Sequence, residues 1–150
     1  MHLATGPYIR SLPAGYAGES FQTGRLERKG RPLRIIIAED EAVFALDLQT
    51  MIRDAGGEVA GVAVRGQDAI TLAAALRPDV VLMDVHLMGE MDGIEAARAI
   101  RGLRGTAVVF VTAHGDPDTL RRMFEVVPST PVIKPISDVQ LREAIMRACR

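Results

Sequence analysis

Short apolar runs alternate with segments of helical periodicity from residue 33 to the end of the chain. The apolar runs predict five strands, at residues 33–38, 58–64, 80–84, 107–112 and 131–133. The segments between and after them predict helices at residues 41–54, 67–76, 93–101, 118–126 and 138–150. Strands that alternate with helices are typical of βα units around a parallel sheet. The pattern therefore predicts an α/β fold of five such units, (βα)5.

Local capping signals support these boundaries. Asp116 followed by Pro117 offers an N-cap with proline at the first helical position, and Ser137 with Gln140 three residues later is a capping-box pattern. The adjacent Gly56 and Gly57 are suited to ending the first helix.

Residues 1–32 differ in character from the rest of the chain. They are rich in glycine, proline and polar residues and end in a basic cluster of Arg25, Arg28, Lys29 and Arg31. We interpret residues 1–32 as a flexible extension and residues 33–150 as one folded domain. Because no aromatic residue is interleaved with the basic cluster, we interpret the cluster as a solvated linker rather than a nucleic-acid contact.

Composition narrows the function classes. The 150 residues carry 18 basic and 19 acidic side chains, which gives a formal net charge of −1. The chain therefore lacks the excess of positive charge that is typical of nucleic-acid-binding proteins, and no nucleic-acid partner is predicted. The single cysteine, Cys149, excludes an internal disulfide framework and suits a reducing cytoplasm. No signal peptide and no membrane-spanning run is predicted.

Polar residues follow four of the predicted strands. Glu39-Asp40-Glu41 follows the first strand, Asp84 and Thr112 end the third and fourth, and Lys134-Pro135 follows the fifth. The carboxyl ends of parallel strands meet at one edge of the sheet, where binding crevices form. Carboxylates gathered there need a cation between them, and Mg²⁺ prefers such oxygen ligands. An aspartate in that position can act as a nucleophile toward phosphorus, and Asp84 is the one placed to do so. The amino group of Lys134 and the hydroxyl of Thr112 are suited to stabilising the charge on the phosphoryl oxygens.

These motifs, in this order, resemble the CheY-like receiver family of two-component signalling. The segments that carry the resemblance are Ile37-Ala38-Glu39-Asp40-Glu41, Val81-Leu82-Met83-Asp84, Met91-Asp92-Gly93, Phe110-Val111-Thr112-Ala113 and Lys134-Pro135. The resemblance implies a flavodoxin-like, doubly wound parallel sheet of strand order 2-1-3-4-5, for which CheY is a standard example. It also implies a cis peptide bond between Lys134 and Pro135.

The same resemblance implies the chemistry of the site. Asp84 would accept a phosphoryl group from a histidine kinase or a histidine phosphotransferase, in a reaction that needs Mg²⁺ or Mn²⁺. Asp40, Asp84 and the backbone carbonyl of His86 would bind the metal directly, and Glu39 through a water. Such a protein is a signalling phosphoacceptor and not an enzyme acting on other substrates. We expect a cytoplasmic monomer or weak homodimer without an effector domain, which signals through protein contacts that depend on phosphorylation.

One departure from the family concerns the switch. Receivers usually carry an aromatic residue three positions before the lysine, which moves together with the threonine, here Thr112. Pro131 occupies that position and has no side-chain rotamer that could swing inward. The stretch from Asp84 to Gly93 resembles a divergent alphaproteobacterial group of single-domain receivers.

Two histidines are predicted to modulate the site. His86 and His114 stand two residues after Asp84 and Thr112, the positions that flank the approach of water in this family. Histidine changes charge between about pH 5 and 8, so the pair could make dephosphorylation depend on pH.

The sequence argues against three other functions. A docking module derived from a degenerate receiver would lack Asp84 or Lys134, and both are present. A haloacid-dehalogenase-like phosphatase needs a second aspartate where His86 stands. A nucleotide-binding Rossmann domain needs a glycine-rich turn after its first strand, and the chain has Glu39-Asp40-Glu41 there.

Overall fold

The computed structural model describes residues 24–150, which contain a five-stranded sheet and a short hairpin. The hairpin strands are β1 (Glu27–Arg28) and β2 (Arg31–Pro32); the sheet strands are β3 (Arg34–Ala38), β4 (Glu58–Ala63), β5 (Val80–Met83), β6 (Ala107–Thr112) and β7 (Val132–Ile133). All neighbours in the sheet are parallel, in the order β4-β3-β5-β6-β7. Because the hairpin takes the labels β1 and β2, the first strand of the sheet along the chain is β3 and the second is β4. The observed order is therefore the predicted 2-1-3-4-5, and the flavodoxin-like fold is confirmed.

One helix follows each strand of the sheet. They are α1 (Ala42–Asp54), α2 (Gly66–Leu76), α3 (Gly93–Ile100), α4 (Pro117–Val126) and α5 (Asp138–Ala148). The predicted bounds differ from these by at most two residues. The predicted caps are also present: the Asp116 carboxylate accepts from the Thr119 amide, and Ser137 and Gln140 form a capping box.

The sheet separates two apolar layers. Ile36 and Val81 point into a layer covered by α2, α3 and α4, and Ile35 and Leu82 point into a second layer under α1 and α5. Successive residues of a strand face opposite sides, so a strand buried on both faces reads as a continuous apolar run. This is why the sequence pattern located the central strands.

The hairpin differs from the flexible extension predicted for residues 1–32. Leu26 is fully buried in the layer under α1 and α5, and its amide donates to the Ala55 carbonyl at 2.7 Å. Arg31 forms two hydrogen bonds of 2.9 Å with the Asp79 carboxylate. Lys29 and Gly30 form the turn with φ of 53° and 76°, as a two-residue hairpin loop requires. The folded part therefore begins upstream of residue 33; residues 1–23 lie outside the described residues.

Within residues 24–150, the helices are too short or too polar to cross a membrane.

Candidate functional site

Five of the predicted site residues converge at the carboxyl edge of the sheet. Glu39 and Asp40 follow β3, Asp84 follows β5, Thr112 ends β6 and Lys134 follows β7. Backbone hydrogen bonds continue the sheet at this edge: the Asp84 amide donates to the Ala38 carbonyl at 3.0 Å, and the Lys134 amide to the Thr112 carbonyl at 2.9 Å. The rigid sheet therefore fixes the positions of these backbones.

Three carboxylates form a cluster at the centre of this edge. Oxygen atoms of Glu39, Asp40 and Asp84 lie within 4.8 Å of one another. Glu39 and Asp84 are 1% and 6% exposed, whereas Asp40 is exposed to solvent. Buried carboxylates repel one another unless a cation lies among them, and this all-oxygen set fits the preference of Mg²⁺. The residues present therefore fit a hard divalent cation.

Lys134 supplies the one amino group in the described cluster. Its Nζ lies 2.5 Å from Glu39 Oε1 and 3.3 Å from Asp84 Oδ2. Burial by itself would lower the pKa of Lys134, but the hydrogen bond to Glu39 and the charge of Asp84 outweigh burial and raise the pKa. The lysine is therefore held in its charged form beside the Asp84 carboxylate.

Glu39 has the most perturbed acidity at the site. Burial raises the pKa of Glu39 to about 7 and the charge of Asp84 adds to the rise, although Lys134 and the Glu41 amide oppose it. A divalent cation among the three carboxylates would favour the ionised form.

The Asp84 carboxylate is oriented from two sides. Its Oδ1 accepts a hydrogen bond of 2.7 Å from the Val85 amide, and its Oδ2 faces Lys134. Gly93, the first residue of α3, packs against the same segment: a Cβ at Gly93 would lie 1.7 Å from the Asp84 carbonyl oxygen. Only glycine permits this approach, which explains the glycine of the Met91-Asp92-Gly93 motif.

Thr112 is fully buried at the end of β6, and its hydroxyl accepts a hydrogen bond of 3.2 Å from the His114 amide. This hydrogen bond connects the threonine to the segment that leads into α4.

Comparison with known proteins agrees with this geometry. The family model described as the response regulator receiver domain matches residues 35–146. The chain belongs to the response regulator receiver family. The transcriptional regulatory protein PdtaR of Mycobacterium tuberculosis is 40% identical over 114 residues, which cover 76% of this chain and 55% of that protein. The chain therefore spans about half the length of this relative.

Two further relatives resemble the receiver over nearly their whole length. The chemotaxis protein CheY of Thermotoga maritima is 30% identical over 118 residues, covering 78% of this chain and 98% of that protein. The solved receiver domain of a modulated diguanylate cyclase from Desulfovibrio desulfuricans superposes with a TM-score of 0.74 and 30% identity, covering 79% of this chain and 94% of that one.

Other parts of the receiver bear on the remaining sequence predictions. The Lys134-Pro135 peptide bond is cis, as the resemblance implied. The His86 and His114 rings are neighbours, with centroids 3.8 Å apart and planes inclined by 47°, and both side chains are exposed. Pro131 is buried just before β7, so it does not lie with the other site residues at the carboxyl ends of the strands.

Sequence reasoning missed two features of the receiver's site. The Phe44 ring lies under Lys134, with the Nζ 4.0 Å from the ring centroid. Phe44 lies one helical turn after Asp40, and this spacing was the available signal. Arg122 of α4 binds the Asp92 carboxylate at 2.7 Å and connects α4 to the N-cap of α3. No sequence signal identifies this pair, because the residues are 30 positions apart.

Proposed function

We propose that this receiver accepts a phosphoryl group on Asp84 in a Mg²⁺-dependent reaction and signals through protein contacts that change with phosphorylation. The observation that carries the proposal is the environment of the Asp84 carboxylate. It is almost fully buried, one oxygen is oriented by the Val85 amide, and the other faces the amino group of Lys134. An oriented carboxylate beside a cation is the arrangement that in-line attack on phosphorus needs.

The transfer forms a bond between an Asp84 carboxylate oxygen and phosphorus while the bond from phosphorus to the donor nitrogen breaks. The donor is a phosphohistidine of a histidine kinase or phosphotransferase, and its nitrogen keeps the electron pair and is protonated by solvent. Lys134 and the hydroxyl of Thr112 contact the transferred phosphoryl oxygens and stabilise their charge. Hydrolysis of the acyl phosphate returns Asp84 to its starting state.

Asp40, Asp84 and the His86 carbonyl would hold the metal ion directly, with Glu39 in support. The support for this assignment is the all-oxygen cluster of three carboxylates. When bound, Mg²⁺ neutralises charge on the carboxylates and on the phosphoryl oxygens. With the ion bound, Lys134 would no longer be the sole compensating charge beside the carboxylates and would be available to the phosphoryl group.

Output would run from Thr112 into α4. Movement of the threonine hydroxyl toward the phosphoryl group would break or redirect its bond with the His114 amide, three residues before α4 begins. Pro131 cannot contribute a swinging aromatic ring. The segment 113–116 would therefore transmit the change directly to α4, whose Arg122 also contacts Asp92. The proposal requires two partners: a histidine kinase or phosphotransferase as the phosphoryl donor, and a downstream protein that receives the signal.

The proposal is tested by incubation with Mg²⁺ and acetyl phosphate followed by intact mass measurement. We expect one phosphoryl group on the wild type, none on Asp84→Ala, and full labelling of the control Asp118→Ala, which removes an exposed aspartate of α4 outside the site. Chelation of divalent ions should abolish labelling of the wild type. Undiminished labelling of Asp84→Ala would refute the proposal.

A further inference from the structure

The edge of the sheet opposite the phosphoacceptor site carries many exposed cations. At this edge the strands of a parallel sheet begin and the helices end, so distant parts of the sequence meet there. We define the basic surface by six exposed residues from the hairpin and from the ends of α2, α3 and α5: Arg28, Lys29, Arg77, Arg101, Arg104 and Arg150.

Hydrogen bonds join these segments into one continuous surface. Thr106, which follows the arginines after α3, donates to the Pro78 carbonyl at 2.8 Å. Asp79 binds Arg31 of the hairpin at 2.9 Å. On the other side of the hairpin, Arg28 donates to the Cys149 carbonyl at 3.1 Å. The four segments are therefore neighbours in space, although they are far apart in sequence.

Few acidic groups offset this charge. The Asp79 side chain is 10% exposed and already paired with Arg31, and Glu27 is paired with Arg25. Asp54 ends α1 and Glu58 begins β4, so these two exposed carboxylates lie at the same edge and offset part of the charge of the six cations. Within residues 24–150, none of the six cations forms an ion pair.

Helix stability does not account for the whole set. Basic residues in the last turn of a helix are favourable because they interact with the helix dipole, an effect that falls off within that turn. Arg28 and Lys29 lie on the hairpin, and Arg104 lies four residues beyond the end of α3. Lys29 and Arg104 therefore lie outside the last turn of any described helix, whereas Arg28 donates to the carbonyl of Cys149, the C-cap of α5.

The chemistry of the surface points to phosphate. The exposed large apolar residues of the described chain lie elsewhere: Val43, Leu46, Val62, Val64, Met88, Phe124, Ile133 and Val139. Protein interfaces and membrane anchors use apolar or aromatic side chains at their centres, and single-stranded nucleic acids are bound by aromatic stacking. Arginine, by contrast, binds phosphate through two parallel hydrogen bonds.

We propose that the basic surface binds the phosphate backbone of duplex nucleic acid without sequence preference. The sequence predicted no nucleic-acid partner because the net charge of −1 averages an acidic site at one end of the molecule with a basic surface at the other. If each of the six cations neutralises one phosphate of DNA, the logarithm of the binding constant falls against the logarithm of salt concentration with a slope of about −5. Dissociation constants of about 1–100 μM at physiological salt are typical of this mode.

The test is fluorescence anisotropy of labelled DNA and RNA duplexes titrated with the full chain at several salt concentrations. Arg101→Gln/Arg104→Gln should reduce the magnitude of the DNA salt slope by about two and weaken binding about ten-fold. The matched control is Arg65→Gln/Arg121→Gln, which removes two exposed arginines toward the opposite edge and should leave binding unchanged. Far-UV circular dichroism shows whether each variant keeps its fold.

Three outcomes would overturn the proposal. The first is no binding of either duplex at about 100 μM protein in low salt, where non-specific phosphate contacts are strongest. The second is an equal loss of binding in the control variant. The third is preferential binding to phosphatidylglycerol vesicles or to a single strand of the same length, since both would require a different mode of recognition.

Discussion

Replacement of Leu26 by alanine tests whether the hairpin belongs to the folded domain. The Leu26 side chain is 0% exposed and packs in the layer under α1 and α5. Its removal deletes three buried carbon atoms, which costs about 2.4 kcal/mol in transfer free energy. An unfilled cavity adds to this, so we expect the free energy of unfolding to fall by about 3 kcal/mol.

This loss is large enough to measure by two methods. With an unfolding entropy of about 2 cal/mol/K per residue, a loss of 3 kcal/mol lowers the midpoint of thermal unfolding by about 10 °C. The chain has no tryptophan, so far-UV circular dichroism in urea is the direct assay. The urea midpoint should fall while the slope of the transition stays the same, because the same surface is exposed on unfolding.

The matched control is Leu46→Ala on α1, where the same change is made at a side chain that is 58% exposed. We expect it to change the free energy of unfolding by no more than about 0.5 kcal/mol. If Leu26→Ala were as mild as this control, residues 24–32 would lie outside the cooperative unit. The flexible extension predicted from the sequence would then be the better description.

Three further predictions concern the site and its supports. Gly93→Ala should slow the proposed phosphorylation by acetyl phosphate, because its methyl group would displace the carbonyl of Asp84. The control Gly61→Ala, whose methyl group would meet only flexible leucine atoms at 3.4 Å or more, should label at the wild-type rate. The hydrogen bond from Arg31 lowers the pKa of the Asp79 carboxyl in the folded state. The ionised carboxylate therefore stabilises the fold at pH values above its unfolded pKa of about 4. This stabilisation is lost as the pH falls through the lowered pKa of the folded state. Urea titrations should therefore show Asp79→Asn less stable than wild type near neutral pH, with the difference shrinking in acid; a difference independent of pH would contradict this. Joint replacement of His86 and His114 by alanine should change the lifetime of the acyl phosphate, measured by mass after removal of the donor, and an unchanged lifetime would show that the two rings do not control water access.

The sequence by itself determined the fold and most of the site. Strands such as Val80–Met83 are buried on both faces and therefore read as unbroken apolar runs, so their number and their places along the chain could be predicted without coordinates. The order of the strands in the sheet was implied by the family resemblance. The chemistry was legible too, because parallel strands bring their carboxyl ends to one edge. Asp40, Asp84, Thr112 and Lys134 could thus be assigned to one place from their positions after the strands.

Only the tertiary structure decided the contacts between residues that no local pattern connects. Leu26 lies in a segment rich in glycine and arginine, and its burial depends on the apolar layer that α1 and α5 cover. The packing of the helices likewise decides three other features. It places Phe44 under Lys134, it pairs Arg122 with Asp92, and it brings Arg28, Arg77 and Arg101 to one end of the molecule. Local propensity and hydrophobic periodicity carry no information about such long-range pairs. The net charge of −1 likewise does not show that acidic residues lie at one end of the molecule and basic residues at the other, because this separation exists only once the chain is folded.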